Sequence, residues 1–235
     1  MSQPRRLGLL GGTFDPIHGG HIAAAEAARR ALHLDEVWLL TSHVPPHRPQ
    51  PVASVHHRFA MVALAIQDEP AFRASDLELL SPGPSFTAAT LARLHSEGFE
   101  PLQLFFILGA DAFAEISTWR DYPRLLDGAN FAVISRGVRR ALSDAEDRGF
   151  AARLRDPSAE SHEGATAIYA LDATTPDVSS TGVRERCARG LSIDGMVPPA
   201  VASHIVRHHL YREGSDRERT IAHVTANQLH EQEHL

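Results

Sequence analysis

The chain has 235 residues, 43% of them hydrophobic and 22% charged, which is enough for one sizeable core and somewhat short for two. Its net charge of −6 supplies no basic surplus for a nucleic-acid partner. No apolar run nears the ~20 residues that a membrane span needs.

One cysteine, Cys187, cannot form an intrachain disulfide and suits a reducing cytoplasm. The opening Met1-Ser2-Gln3-Pro4-Arg5-Arg6 lacks the apolar core of a secretory leader, so export is not expected. The sequence also contains no lysine. That excludes a Walker A lysine, a pyridoxal Schiff base and a lysine nucleophile. Phosphate handling therefore falls to arginine, histidine, backbone N–H groups or a metal.

In chain order, 6–10 reads as a buried strand ended by Gly11-Gly12, and 20–32 as an alanine-rich helix. A second strand follows at 37–41, then a proline-rich loop at 43–51 that neither a helix nor a central strand tolerates. Helical patterning returns over 55–66, and Pro84-Ser85-Phe86-Thr87 opens another helix running to His95. The continuous apolar run 102–108, closing at Gly109, gives the clearest strand, with two more at 131–134 and 168–171. A last amphipathic helix covers 199–211, and from residue 214 the chain turns into a polar tail. Strands alternating with helices predict an α/β fold, a doubly wound parallel sheet in one domain over residues 1–213.

The first strand leads into Gly11-Gly12-Thr13-Phe14-Asp15-Pro16-Ile17-His18-Gly19-Gly20-His21. Paired glycines let a ligand approach the backbone, and the helix beyond them offers free N–H groups and partial positive charge to a phosphate. His18 and His21, three positions apart, can point the same way and donate to charge that builds on a phosphoryl group. Two other readings remain: a zinc pair, which has no accompanying cysteine or carboxylate cluster, and ordinary surface histidines among the 15 in the chain. The glycines do not satisfy the dinucleotide pattern G-x-G-x-x-G. A second feature, Ser179-Ser180-Thr181-Gly182-Val183-Arg184, is either a helix N-cap or an anion site facing the first loop across the carboxyl ends of the strands.

The segment from Thr13 to His21 resembles the T/HxGH signature of the nucleotidyltransferase superfamily, and Ser179 to Arg184 resembles its distal SxTxxR-type phosphate motif. Within that superfamily the chain resembles the nicotinate-nucleotide adenylyltransferase family. The further matches are Val44-Pro45-Pro46-His47-Arg48, Pro84-Ser85-Phe86-Thr87, Gly109-Ala110-Asp111 and Ser117-Thr118-Trp119, in family order over residues 6–212. Where some relatives carry a second aromatic after the tryptophan, this chain has Arg120.

The resemblance implies adenylyl transfer from ATP to nicotinate mononucleotide, giving deamido-NAD and pyrophosphate. By it, His18, His21 and Arg184 act on the phosphates, while Gly11, Gly12, Thr13, Phe14, Gly109, Asp111, Ser180 and Thr181 line the ATP site. Arg48, with Thr13 nearby, takes the mononucleotide phosphate, and Thr87 and Trp119 hold the pyridine ring. Read without the resemblance, Asp111 has a turn or N-cap aspartate as its lesser alternative, and Trp119 is equally a core aromatic. Mg2+ is expected to arrive on ATP with few or no protein ligands. Other transferases of the superfamily, acting on phosphopantetheine or through CTP, are the nearest alternative. A non-catalytic nucleotide-binding regulator of the same fold is a more distant one.

Overall fold

Residues 104–108 and 131–134 have no polar position on either face, which suits strands covered by helices above and below. The computed structural model, which describes residues 6–44, 50–80, 83–137, 149–157 and 164–212, sets both runs near the middle of a seven-stranded sheet. Its strands are β1 (Leu7–Gly12), β2 (Glu36–Thr41), β3 (Phe72–Ser75), β4 (Leu104–Gly109), β5 (Asn130–Ser135), β6 (Leu154–Arg155) and β7 (Ile168–Asp172). All pair in parallel, in the order β3-β2-β1-β4-β5-β7-β6.

The helices are α1 (Gly19–Ala31), α2 (Val55–Ala65), α3 (Thr87–Ser96), α4 (Ala110–Ala114), α5 (Ser180–Ala188) and α6 (Pro199–Arg207). Side chains alternate across the pleat, so neighbouring residues of one strand feed two cores. Leu10, Leu39, Ile107 and Ile134 meet Ala25, Ala28, Met61, Val183, Val201 and Ile205 on one face. Leu9, Leu40, Phe106 and Val133 meet Leu91, Leu94, Phe113 and Leu125 on the other. This is the expected doubly wound sheet. The chain runs outward from β1 through β2 to β3, then crosses back to β4 on the far side of β1. The carboxyl ends of β1 and β4 therefore diverge into a crevice, where sheets of this kind bind their ligands.

Several boundaries differ from the sequence reading. β3 and β6 carry no continuous apolar run and were not expected. Leu102 lies in a 3₁₀ turn, Pro101–Gln103, so β4 starts only at Leu104. The last helix stops at Arg207 rather than reaching Tyr211, because His209 and Tyr211 adopt positive φ (52° and 63°) and turn the chain back. The tail beyond residue 214 and Arg48 lie outside the described residues.

Candidate functional site

The first wall of the crevice is the loop from β1 to α1. A Cβ on Gly12 would stand 2.8 Å from the Phe14 ring, so only glycine fits that position. Phe14 itself has φ 49°, a left-handed conformation that an L side chain holds only against a cost. What holds it is burial: the ring is 1% exposed and meets the His21 ring edge-on at 5.1 Å. Phe14 thus shapes the wall from beneath it.

His18 is the N-cap of α1, and the helix capping fixes both imidazoles. Nδ1 of His18 accepts the Gly20 N–H at 3.2 Å, and Nδ1 of His21 accepts the His18 N–H at 3.3 Å. The arrangement is a capping box built from two histidines instead of a hydroxyl and a carboxylate. A backbone N–H can only donate, so both Nδ1 atoms are bare acceptors and the proton of each neutral ring sits on Nε2. The rings stack at 3.8 Å. Burial holds His18 down to about 4; burial, with the adjoining His18 ring, holds His21 down to about 3. Both are therefore neutral near pH 7, each with one committed acceptor and one N–H donor. His18 is also buried, which sets aside the reading of it as an ordinary surface histidine.

A network missed from sequence braces this loop. Asp15, buried, accepts the N–H groups of Val52 (2.7 Å) and Ala53 (3.1 Å) and the Tyr211 hydroxyl (2.8 Å). Burial and the Asp15 carboxylate push the Tyr211 phenol well above its ordinary value. Arg58, the largest fully buried side chain, donates to the carbonyls of Thr13 (2.7 Å), Ser42 (2.8 Å), His43 (3.1 Å) and Ala53 (3.3 Å). It thereby ties the exits of β1 and β2 together. An arginine inside the apolar helical pattern 55–66 was the available signal for it; Tyr211 gave none.

The distal motif closes the same wall. Ser179 caps α5 by accepting the Gly182 N–H, which settles one of its two readings without removing the other. Ser180 Oγ donates to the Pro16 carbonyl at 2.8 Å. Arg184 donates to the Asp15 carbonyl (2.7 Å) and to Thr181 Oγ1 (3.1 Å). The first loop and the distal helix are in direct contact, as the reading across the strand ends required.

Past the end of β2, Ser85 Oγ accepts the His43 N–H at 2.8 Å and its N–H donates to the Val44 carbonyl at 2.9 Å. Thr87 begins α3. Trp119 is half-buried and meets Phe106 edge-on at 5.9 Å, so its ring has both a core contact and a cavity face. Asp111 is exposed in the first turn of α4, just past Gly109.

One cavity of about 1280 Å3 joins these parts. Its wall includes Gly11, Gly12, Thr13, Phe14, His18 and His21 from the first loop, and Ser180, Thr181 and Arg184 from the distal motif. Gly109, Asp111, Thr87 and Trp119 complete it on the other side. Every expected site residue except Arg48, which is outside the described residues, meets there. Among the described residues no group of three or more histidine, cysteine or acidic side chains is placed to hold a metal ion, and no helix is long and apolar enough to cross a membrane.

A cytidylyltransferase-like family model matches residues 9–186. Two curated proteins named "Probable nicotinate-nucleotide adenylyltransferase" are similar along most of their length. That of Cronobacter sakazakii is 43% identical over 212 residues, 89% of this chain and 97% of its own. That of Yersinia pestis is 39% identical over 207 residues, covering 87% and 94%. Among solved structures, the nicotinic acid mononucleotide adenylyltransferase of Plasmodium falciparum, complexed with NaAD, superposes with a TM-score of 0.67 over 88% of this chain and 97% of that one. At 18% identity that likeness speaks for the fold alone.

Proposed function

Because the chain belongs to the nicotinate-nucleotide adenylyltransferase family of cytidylyltransferase-like proteins, we propose that it joins nicotinate mononucleotide to the adenylyl group of ATP, in NAD biosynthesis in the cytoplasm. A phosphate oxygen of the mononucleotide forms a bond to the α-phosphorus of ATP. The bond from that phosphorus to the bridging oxygen breaks, and pyrophosphate leaves with the electron pair. The nucleophile is already ionised, so neither a protein base nor a covalent intermediate is needed. Catalysis is then positioning and charge stabilisation.

The observation that carries this reading is the locked histidine pair. Two Nε2–H donors, fixed by the backbone of α1, share a cavity wall with Arg184 and the glycines of β1. Preorganised donors of this kind reward charge that develops on a transferring phosphoryl group. Neutral imidazoles supply direction, and Arg184 supplies charge. The α1 and α5 N-termini add their partial positive charge. In this reading Ser180, Thr181, Gly109 and Asp111 hold the nucleotide, with Asp111 at a ribose. Thr13 and Arg48 take the acceptor phosphate, and Thr87 and Trp119 hold its ring. Magnesium carried on the triphosphate would neutralise phosphate charge, and the histidines, with Nδ1 spent on backbone, leave its ligation to phosphate oxygens and water.

Pyrophosphate release, measured with ATP and a panel of acceptors, tests the proposal. Nicotinate mononucleotide is expected to exceed the nicotinamide form at least about tenfold in kcat/KM, since donors aimed at an anion are left unpaired by an amide NH₂ at a cost of roughly 1–3 kcal/mol each. Turnover of phosphopantetheine, or of CTP in place of ATP, with neither pyridine nucleotide accepted, would overturn it.

A further inference from the structure

Arg120 follows Trp119, and its guanidinium carbon lies 4.9 Å from the centroid of the Phe86 ring. Phe86 is the residue before α3, and no side chain caps that helix. The N–H groups of Ala89 and Thr90 are spent on the Phe86 carbonyl, which leaves those of Thr87 and Ala88 for another acceptor. Arg120 and this uncapped helix start line the same cavity as Trp119.

Three arginines stand on the described wall of that cavity. Arg184 is bonded to the Asp15 carbonyl and to Thr181. Arg136 reaches the Asp177 carboxylate and the carbonyls of Thr175 and Pro176, each at 3.4 Å. Arg120 makes its ring contact and, among the described residues, no hydrogen bond or ion pair. Of the four carboxylates on the described wall, Asp15, Glu78, Asp111 and Glu115, none pairs with Arg120, and Glu78 is turned elsewhere. It accepts the Thr90 hydroxyl at 2.8 Å and interacts with the Ser85 hydroxyl, and burial pushes its carboxyl above the usual range. Among the described residues Arg120 thus keeps an unpaired charge, 4.9 Å from the centre of an aromatic ring and on the same wall as N–H groups of Thr87 and Ala88 that have no acceptor. That is a receptor for a planar anion.

We infer that Arg120 sets acceptor choice by pairing with the carboxylate on the pyridine ring while Phe86 supports its guanidinium. The inference rests on the proposed pyridine-mononucleotide reading and names a residue for its selectivity. A planar guanidinium offers paired donors to a carboxylate, whereas an amide presents an NH₂ that cannot accept them. The alternatives for an arginine here are the acceptor's phosphate, which both mononucleotides share, and the ATP triphosphate.

The test compares kcat/KM for nicotinate and nicotinamide mononucleotides, and KM for ATP, in wild type, Arg120→Gln and Arg120→Lys. Calorimetric titration of each mononucleotide into the unliganded proteins gives a readout apart from turnover. Arg120→Gln is expected to lose about tenfold in efficiency and affinity for the acid, with the amide and ATP within twofold. Arg120→Lys, which keeps charge but not the fork, is expected to fall between. Equal losses for both mononucleotides would move Arg120 to the phosphate, and a raised KM for ATP would move it to the triphosphate; either overturns the inference. An unchanged acid-to-amide ratio in the variants also overturns it while leaving the proposed function intact. A wild type that prefers the amide, or uses neither acceptor, overturns the proposed function and this inference with it.

Discussion

Among the described residues histidine rings gather in two clusters, and their chemistry differs for a reason visible in the backbone. His18 and His21 stand at the N-terminus of α1, each with Nδ1 taken by a main-chain N–H. His57, His204 and His208 gather where α2 meets the C-terminal end of α6, and their rings lean on one another. His57 Nδ1 lies 3.0 Å from His204 Nε2, and the His208 ring is 4.8 Å and 4.4 Å from the other two. A main-chain donor cannot exchange roles, so the first pair has one tautomer and one direction for its free donor. A ring partner can exchange roles, so the N···N contact of the second cluster works with the proton on either side. Burial, with His208, His57 and Arg207 nearby, holds His204 below its ordinary value. On the proposed reading, what suits imidazoles to a phosphate is not their crowding but the commitment of one nitrogen of each to the backbone.

The strongest way to break that contrast is by substitution. His21→Ala, or His18→Asn, is expected to lower turnover by ~10² or more, as loss of a preorganised donor does. Asparagine is chosen at position 18 because its side chain can still cap α1, so the fold is retained while the Nε2 donor is lost. His204→Ala and His208→Ala are expected to stay within twofold of wild type in the same pyrophosphate-release assay. A loss at His204 comparable to that at His21 would mean that the second cluster takes part in the chemistry.

A smaller effect sharpens the division of labour between neutral donors and the charged arginine. Arg184→Ala is expected to lower kcat/KM for ATP about tenfold or more, the range for a hydrogen bond to a charged group. The acceptor's KM should hardly move. The reverse pattern, with ATP kinetics intact and acceptor affinity lost, would assign Arg184 to the other substrate.

The smallest expected effect is on stability. The folded-state values of His18 and His21, about 4 and about 3, lie below the 6.5 of an unfolded chain. Between these limits the unfolded state binds more protons, so unfolding free energy rises with pH and falls as the solution is acidified from about 6.5 toward 4. Urea midpoints taken from pH 7 to pH 5, above most carboxylate titration, should decline in wild type and decline less in His18→Asn. Parallel slopes would mean that His18 takes up its proton as readily folded as unfolded.

Much of this was legible in the sequence where local chemistry and tertiary context agree. The middle strands announced themselves as apolar runs, and the motif from Thr13 to His21 placed both histidines at a helix start. β3 was not legible because Phe-Arg-Ala-Ser at the sheet edge buries only its first and last residues, too short a pattern to distinguish from a loop. Arg58 looked like one charge on an otherwise apolar helix; only the fold brings four carbonyl oxygens around it. Arg120 was visible as a departure from some relatives, but the Phe86 ring beneath it lies 34 residues earlier and meets it only across the finished cavity.

The hydroxyl of Tyr211 and the carboxylate of Asp15 are 196 residues apart in the chain. The glycine loop and both histidines occupy positions 11–21, yet one brace of that loop comes from nearly the last described residue. Contacts of such long sequence separation are formed only after their loop-closure entropy has been met. A growing chain therefore carries the loop from Gly11 to His21 long before it can hold it still, and the brace on Asp15 is completed only once Tyr211 has been made.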